Sequence, residues 1–369
     1  MTDVKPISMD DISAARDVLS GHVLRTPSIA APAISKLTGV DIFLKLENQQ
    51  VTGSFKTRGS LVRMNALSDA ERRAGVVAAS AGNHAQGVGY HAERLGIPAT
   101  IYMPANTPFT KVARTEALGA EVILSGESVA ESRALAAETA ANDGRVFIHP
   151  YDDPYVIAGQ ATATVEFIED VADLDVIIVP IGGGGLAAGC CLAAHAMKPG
   201  LEVIGVQADA YPSMRQAFNG QPPHGRGATI ADGIAVKEPG EITTPILKAH
   251  MDTVEVVTES EIERAVQVFV DSQRLIVEGS GAVPLALLMR DASRFQGRRV
   301  GLMVSGGNID SRLLASVMMR GLVRDGRLAK LRVAVIDVPG ALGIVTGIIG
   351  LKGGNIVDVM HQRLFCDVP

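Results

Sequence analysis

The feature that most constrains this chain is a rhythm. Short apolar runs alternate with helical patterns along most of its 369 residues. Strands are expected at 41–46, 76–79, 99–103, 121–124, 146–149, 175–180, 201–206 and 298–304, and helices at 57–67, 84–95, 109–118, 127–142, 154–170, 186–197 and 258–275. Alternation of this kind predicts parallel sheets covered by helices, an α/β fold. Two helix starts are written locally. Thr258, Glu259, Ser260 and Glu261 spell a capping box, and Pro154 takes a first helical position behind Asp152 or Asp153. Trp is absent and aromatics are only 4% of the chain, so a core must be built from aliphatic side chains.

Other classes drop out on charge and pattern. The net charge is −6, with no long basic run and no basic-aromatic interleaving, which argues against a nucleic-acid partner. Cys190 and Cys191 are adjacent and Cys366 is distant. That is neither a metal spacing nor a disulfide framework, so the three read as small buried hydrophobes in a reducing compartment. The N-terminus has no basic stretch followed by an apolar one, and the longest apolar runs are far below the ~20 residues of a membrane span. A soluble, cytoplasmic protein with no membrane partner is expected.

Ligands of parallel sheets bind beyond the carboxyl ends of strands. Three turns rich in small residues fall there, at 80–84, 182–185 and 305–308, and predict one composite site. Gly182, Gly183, Gly184 and Gly185 follow a buried strand, and Leu186 opens a helix. Unobstructed backbone amides at a helix start suit a phosphate. No Lys-Ser/Thr pair follows, and GxGxxG with its downstream acid is missing, so neither nucleotide motif fits. Lys56 stands at a helix start beside Phe55. Both a helix start and an apolar neighbour favour a neutral amine, which forms a Schiff base with an aldehyde. Ser80, Ala81, Gly82, Asn83 and His84 offer a hydroxyl, an amide and backbone amides for a carboxylate or a ring oxygen. His84 and His91 lie seven apart on one helix face, but no third ligand accompanies them, so a metal is not expected. Ser305 ends the last core strand, where its hydroxyl can face a ring nitrogen and leave it neutral.

Taken together, SFKTRG at 54–59, SAGNHAQG at 80–87, HPYDD at 149–153, AGQAT at 158–162, GGGGL at 182–186, ATIADG at 228–233 and SGGNID at 305–310 resemble the fold-type-II pyridoxal-phosphate (PLP) family of serine/threonine dehydratases. The resemblance runs from about Ile12 to Arg320. It implies a two-domain, tryptophan synthase β-like fold of parallel sheets with the cofactor between them: a large domain of 1–50 and 151–327 and a small domain of 51–150. It implies Lys56 as the Schiff-base lysine, Gly182 to Gly185 and Leu186 on the PLP phosphate, Asn83 on the ring oxygen, Ser305 on the ring nitrogen, Phe55 against the ring, and Ser80 to His84 on the substrate carboxylate. The implied reaction is β-elimination, L-threonine to 2-oxobutanoate and ammonia and L-serine to pyruvate, in a homodimer or homotetramer.

Serine racemases share the family and carry a serine directly before the Gly-Asn of the turn. Here that position is Ala81, which exchanges no proton. The racemase-like metal site is also expected to be lost, since Gln207 and Ser213 stand where carboxylates would be. Racemase and 3-hydroxyaspartate ammonia-lyase activities rank lower on those grounds, and a non-catalytic PLP or amino-acid sensor lower still. Residues 219–237 read as a long loop over the site, and 324–330 as a charged hinge. Beyond it, strands at 331–338 and 355–361 around a helix at 340–351 resemble the first half of an ACT regulatory domain, a partial βαβ module at 328–369 with an effector-binding turn at 337–342.

Overall fold

The computed structural model describes residues 6–362, and Cys366 lies outside them. The described residues form ten strands: β1 (Ser28–Ala30), β2 (Asp41–Leu46), β3 (Val76–Ala79), β4 (Ala99–Met103), β5 (Glu121–Leu124), β6 (Val146–Phe147), β7 (Val176–Pro180), β8 (Glu202–Ala208), β9 (Thr253–Val257) and β10 (Arg299–Val304). They make two sheets. One has the order β1-β2-β10-β7-β8-β9 and the other β5-β4-β3-β6. Every pairing is parallel except that of β1 with β2. Parallel strands are covered on both faces, so they are apolar without alternation. Every residue of β3 and of β7 is buried.

The larger core is aliphatic, as the composition requires. On one face of the six-stranded sheet Ile42, Leu44, Ile178, Ile204 and Leu302 pack together, and on the other Ile177, Val179 and Met303 meet Phe167. Cys190 and Cys191 lie in the second group and are fully buried. Burial pushes the Cys190 thiol up to about 12. Among the described residues no helix is long and apolar enough to cross a membrane.

Of the two caps expected, Asp153 is the one that caps the helix Pro154–Asp170, its Oδ1 accepting from the amides of Tyr155 and Val156. Other boundaries differ from expectation, each for a local reason. The capping box at Thr258 and Glu261 forms, but its helix ends at Val268 and gives way to a wider π turn, Phe269–Gln273, closed by Arg274 at φ 58°. The helix Gly279–Arg290, with Pro284 inside it, and strands β1 and β9 have no counterpart in the expected pattern.

The chain divides into two compact units at Gly321/Leu322. In the second unit the expected strands at 331–338 and 355–361 do not form, and beyond the end of the helix Ser311–Arg324 the helix Ala341–Leu351 is its one regular element among the described residues. A strand needs a ladder partner and an apolar face to cover. Here no residue of the helix is buried, and Leu331, Ile336 and Val357 are exposed.

One buried polar cluster binds the first unit together. The Arg58 guanidinium grips the Glu47 carboxylate through Nε and Nη2, at 2.9 and 2.8 Å, and Glu166 through Nη1 and Nη2, at 2.7 and 2.8 Å. Lys45 Nζ adds a bond of 2.8 Å to Glu166 and another to the Thr26 carbonyl. Two positive and two negative groups thus close on one another with their donors and acceptors satisfied. Burial alone would raise the Glu47 carboxyl, but Arg58 overrides it and holds the group below the ordinary carboxylate range. Its stabilisation is therefore present above the unfolded-state value and is lost as pH falls through the folded one. Removing one member strands a buried charge, so Arg58→Met should cost about 3–5 kcal/mol in urea unfolding. A loss below about 1 kcal/mol would show that the cluster contributes no more than an exposed ion pair.

Candidate active site

The site is built from the carboxyl ends of five strands. In the six-stranded sheet β7 and β10 are neighbours, so the glycine run after β7 and Ser305 after β10 leave the sheet side by side. In the four-stranded sheet β3 and β6 are neighbours, so the Ser80 turn and the His149-Pro150 stretch emerge together. The segment that carries Lys56 follows β2 and is stitched to the end of β10. Ser54 bridges Gly306, the Phe55 amide donates to the Ser305 carbonyl, and the Gly307 amide donates to the Gly53 carbonyl.

Lys56 is the first residue of the helix Lys56–Asn65. Its Nζ donates to the Pro150 carbonyl at 2.6 Å and lies 5.2 Å from the centre of the Phe55 ring. The side chain keeps a partial opening to solvent but is surrounded by protein. Burial brings the amine down to about 8, against the pull of the Glu278 carboxylate in the other direction. The lysine is thus close to giving up its proton at neutral pH, which a solvated helix-start lysine is not.

Gly184 turns the chain at φ 104°, and the helix Gly185–Met197 begins with no side-chain cap. Its first amides are left for a ligand. Close walls hold this turn. A Cβ on Gly183 would overlap the Tyr151 ring, and one on Gly185 would come within 2.9 Å of the Tyr151 backbone. Thr243 Oγ1 donates to the Gly183 carbonyl at 2.6 Å, and Asp152 accepts from the amides of Glu241, Ile242 and Thr243. The Leu186 side chain is buried in the core, so only its backbone faces outward to a ligand.

The helix Asn83–Leu95 also starts without a side-chain cap. Ser80 Oγ accepts from the Gly82 amide at 3.1 Å, and Asn83 Nδ2 donates to Glu278 at 2.8 Å. His84 is turned into the core, its Nε2 at 2.9 Å from the Ile148 carbonyl, so what it offers a ligand is its backbone amide. His91 Nε2 lies 2.6 Å from Thr57 Oγ1. Burial lowers His84 to about 3 and His91 and His149 to about 4, so all three rings stay neutral. Ala81 presents only its methyl group, against the small-sheet core. Gln207 and Ser213 have protein partners, Gln207 between the Ile181 carbonyl and the Arg215 amide and Ser213 on the Val236 carbonyl.

This arrangement fits a phosphorylated pyridine aldehyde. Ser305 is buried, and no side-chain hydrogen bond occupies its hydroxyl among the described residues. The hydroxyls of Ser54 and Ser280, also buried, have no hydrogen-bond partner among the described residues. Buried polar atoms of this kind are satisfied by a ligand or water. Sequence reasoning missed Glu278, whose one signal is that it is the lone acid in the apolar run 275–289, and it gave no role to Asn308, Tyr151 or the Pro150 carbonyl, although all three lie in the HPYDD and SGGNID stretches.

Known proteins agree. The model of the pyridoxal-phosphate dependent enzyme family matches residues 19–306, and the chain belongs to that family, with pyridoxal phosphate as its cofactor. It is 42% identical to an L-threonine ammonia-lyase of Thermotoga maritima, over 98% of this chain and 91% of that protein. Among solved structures it is similar to the processed form of threonine deaminase isoform 2 from Solanum lycopersicum, with a TM-score of 0.79 and 33% identity over 85% of this chain and 95% of that one. Maize serine racemase reaches the same TM-score, 0.79, at 33% identity, over 86% and 99%.

Two outcomes follow from this geometry. Lys56 releases its proton at a lower pH folded than unfolded, so the unfolded chain binds more protons between about 8 and the ordinary 10.5. Stability of the cofactor-free protein should rise with pH across that window, and urea titrations of Lys56→Met should lack the rise. Gly183→Ala, which drives a methyl into Tyr151, should weaken PLP binding about tenfold or more in an absorbance titration. Unchanged affinity would contradict a tight glycine cradle.

Proposed function

We propose that this chain is a PLP-dependent lyase that eliminates the β-hydroxyl of L-threonine, giving 2-oxobutanoate and ammonia, and that it converts L-serine to pyruvate in the same way. The observation that carries this reading is Lys56, a lysine enclosed on the Pro150 carbonyl with its amine brought down to about 8, on a segment stitched to the end of β10 next to the strand that leads to the uncapped glycine helix start.

The bound cofactor supplies an electron sink for the charge left at the substrate α-carbon. The chain's residues do the rest. The amides of Gly182 to Gly185 and Leu186 hold the phosphate, aided by the helix dipole. Asn83 donates to the ring oxygen, Ser305 meets the ring nitrogen as a neutral hydroxyl, and Phe55 packs on the ring. Ser80, Ala81, Gly82, Asn83 and His84 receive the substrate carboxylate through the turn and its backbone amides, which orients the α-hydrogen. Lys56 Nζ, as a neutral amine, accepts the α-proton. On the opposite face Ala81 offers no second proton carrier, which favours elimination over racemisation.

In the same reading, 1–50 and 151–327 form the large domain and 51–150 the small one, while 328–369 resembles an ACT module for a small effector in sequence pattern alone. A cytoplasmic homodimer or homotetramer completes the proposal.

Release of 2-oxo acid from L-threonine, L-serine, D-serine and 3-hydroxyaspartate, compared by kcat/KM, tests it. L-Threonine should lead, and preference for 3-hydroxyaspartate or rapid formation of D-serine from L-serine would overturn the ranking. Lys56→Ala should lose the visible cofactor band and at least about 10²–10⁴-fold in kcat. Ala81→Ser, which gives this turn position the serine that serine racemases carry there, should make D-serine formation measurable by chiral chromatography.

A further inference from the structure

A buried carboxylate sits behind the site with no part in the chemistry above. Glu278 precedes the helix Gly279–Arg290 and is 4% exposed. Its amide donates to the Gly306 carbonyl, and its carboxylate accepts from Asn83 Nδ2 at 2.8 Å and is favoured in its charged form by the Asn308 backbone amide. Gly306 makes room for it, since a Cβ there would come within 2.6 Å of Glu278 Oε1. On the other side of Asn83, Asn308 Nδ2 donates both to Asn83 Oδ1, at 2.7 Å, and to the Thr52 carbonyl, at 2.8 Å.

The chain of bonds has acceptor-only groups at both ends. The Thr52 carbonyl can only accept, so the Asn308 amide must present its nitrogen there and to Asn83. An ionised Glu278 can only accept, so Asn83 must present its nitrogen to it. The orientation of the Asn83 amide is therefore dictated from two directions. One of its two N–H groups is spent on Glu278 and the other remains free to donate.

We propose that Glu278 is a positioning residue for the cofactor, acting through Asn83: it takes one N–H of that amide and so sets the other toward the ring oxygen. The inference rests on the assignment of Asn83 to the ring oxygen. Glu278 also titrates in a useful range. Burial, and after it the Asp232 charge, raises its carboxyl to about 7, while Asn83, the Asn308 amide and Lys111 pull it down. The charged groups that face it are Asp232 in the turn Asp232–Ile234, Lys111 on the helix Phe109–Glu116, and Lys56. Asp232 and Lys111 pair with each other at 2.8 Å. Above about 7 the carboxylate is ionised and accepts only. Below it, the added proton gives it a donor that competes with the Asn83 arrangement.

The test is a double-mutant cycle read in cofactor affinity. Pyridoxal phosphate is titrated into cofactor-free wild type, Asn83→Ala, Glu278→Ala and the double variant, following the visible band. Each single change should weaken binding about tenfold or more, the size of one hydrogen bond to a charged group. The double variant should bind within about threefold of Asn83→Ala alone, because Glu278 has nothing left to position. Full additivity, or wild-type affinity in Glu278→Ala beside a weakened Asn83→Ala, overturns the role of Glu278 and leaves the Asn83 assignment standing. Wild-type affinity in Asn83→Ala overturns both. If Glu278→Ala does not fold, the isosteric Glu278→Gln carries the test through its pH profile. Wild-type affinity should rise through about pH 7 relative to Glu278→Gln, whose profile keeps only the cofactor's own titration. Parallel profiles overturn the proposal.

Discussion

The fold turns on four buried charges. Arg58 belongs to the helix that Lys56 begins, Lys45 to β2, Glu47 to the short turn directly after it, and Glu166 to the helix Pro154–Asp170. Their mutual bonds tie the catalytic helix to the six-stranded sheet and to the long helix behind it. The same two helices touch at paired glycines, for a Cβ on Gly59 would meet the Val156 carbonyl at 2.8 Å and one on Gly159 would meet the Gly59 Cα at 2.7 Å. Close approach brings the carboxylates within reach of the guanidinium, and the guanidinium has a fork that serves two carboxylates at once. A lysine at position 58 would neutralise the charge but could not hold both partners.

Against that fixed helix, the electrostatics of the site are spare. The nearby imidazoles of His84 and His149 are held neutral by burial, while burial brings the Lys56 amine down to about 8 and raises the Glu278 carboxyl to about 7, the Glu278 charge opposing the first shift and Lys111 the second. A lysine that must act as a base gains from surroundings that do not compete for its proton. The single carboxylate is placed to speak to Lys56 by its field and to Asn83 by contact.

Much of this was legible in the residue string, for identifiable reasons. Parallel strands buried on both faces leave unbroken runs such as Val76–Ala79 and Val176–Pro180, and turns that admit a ligand need glycine, so Gly182 to Gly185 and the Ser80–His84 stretch stood out. Lys56 became readable only beside them. What stayed hidden depends on distance along the chain or on backbone atoms. Nothing at Glu166 announces Arg58, 108 residues away, and the Pro150 carbonyl has no side chain to read. Strand β1 is short and at an edge, and the helix after Glu278 is masked by its glycines and Pro284. In the tail the pattern suggested strands, but an apolar run becomes a strand only when a neighbour offers it a ladder.

The stretch His149 to Asp152 shows how little slack the site has. His149 Nδ1 accepts the amides of Tyr151 and Asp152 and folds the stretch back on itself. The Pro150 carbonyl holds Lys56, the Tyr151 ring walls the glycine turn, and Asp152 anchors the backbone at 241–243 that supports it. Three consecutive residues thus meet three different parts of the molecule, and His149 fixes their register. One inserted or deleted residue would shift all of them together. The segment is a loop by backbone conformation, yet its length is as constrained as that of any core strand, and the freedom to vary that loops normally enjoy ends here.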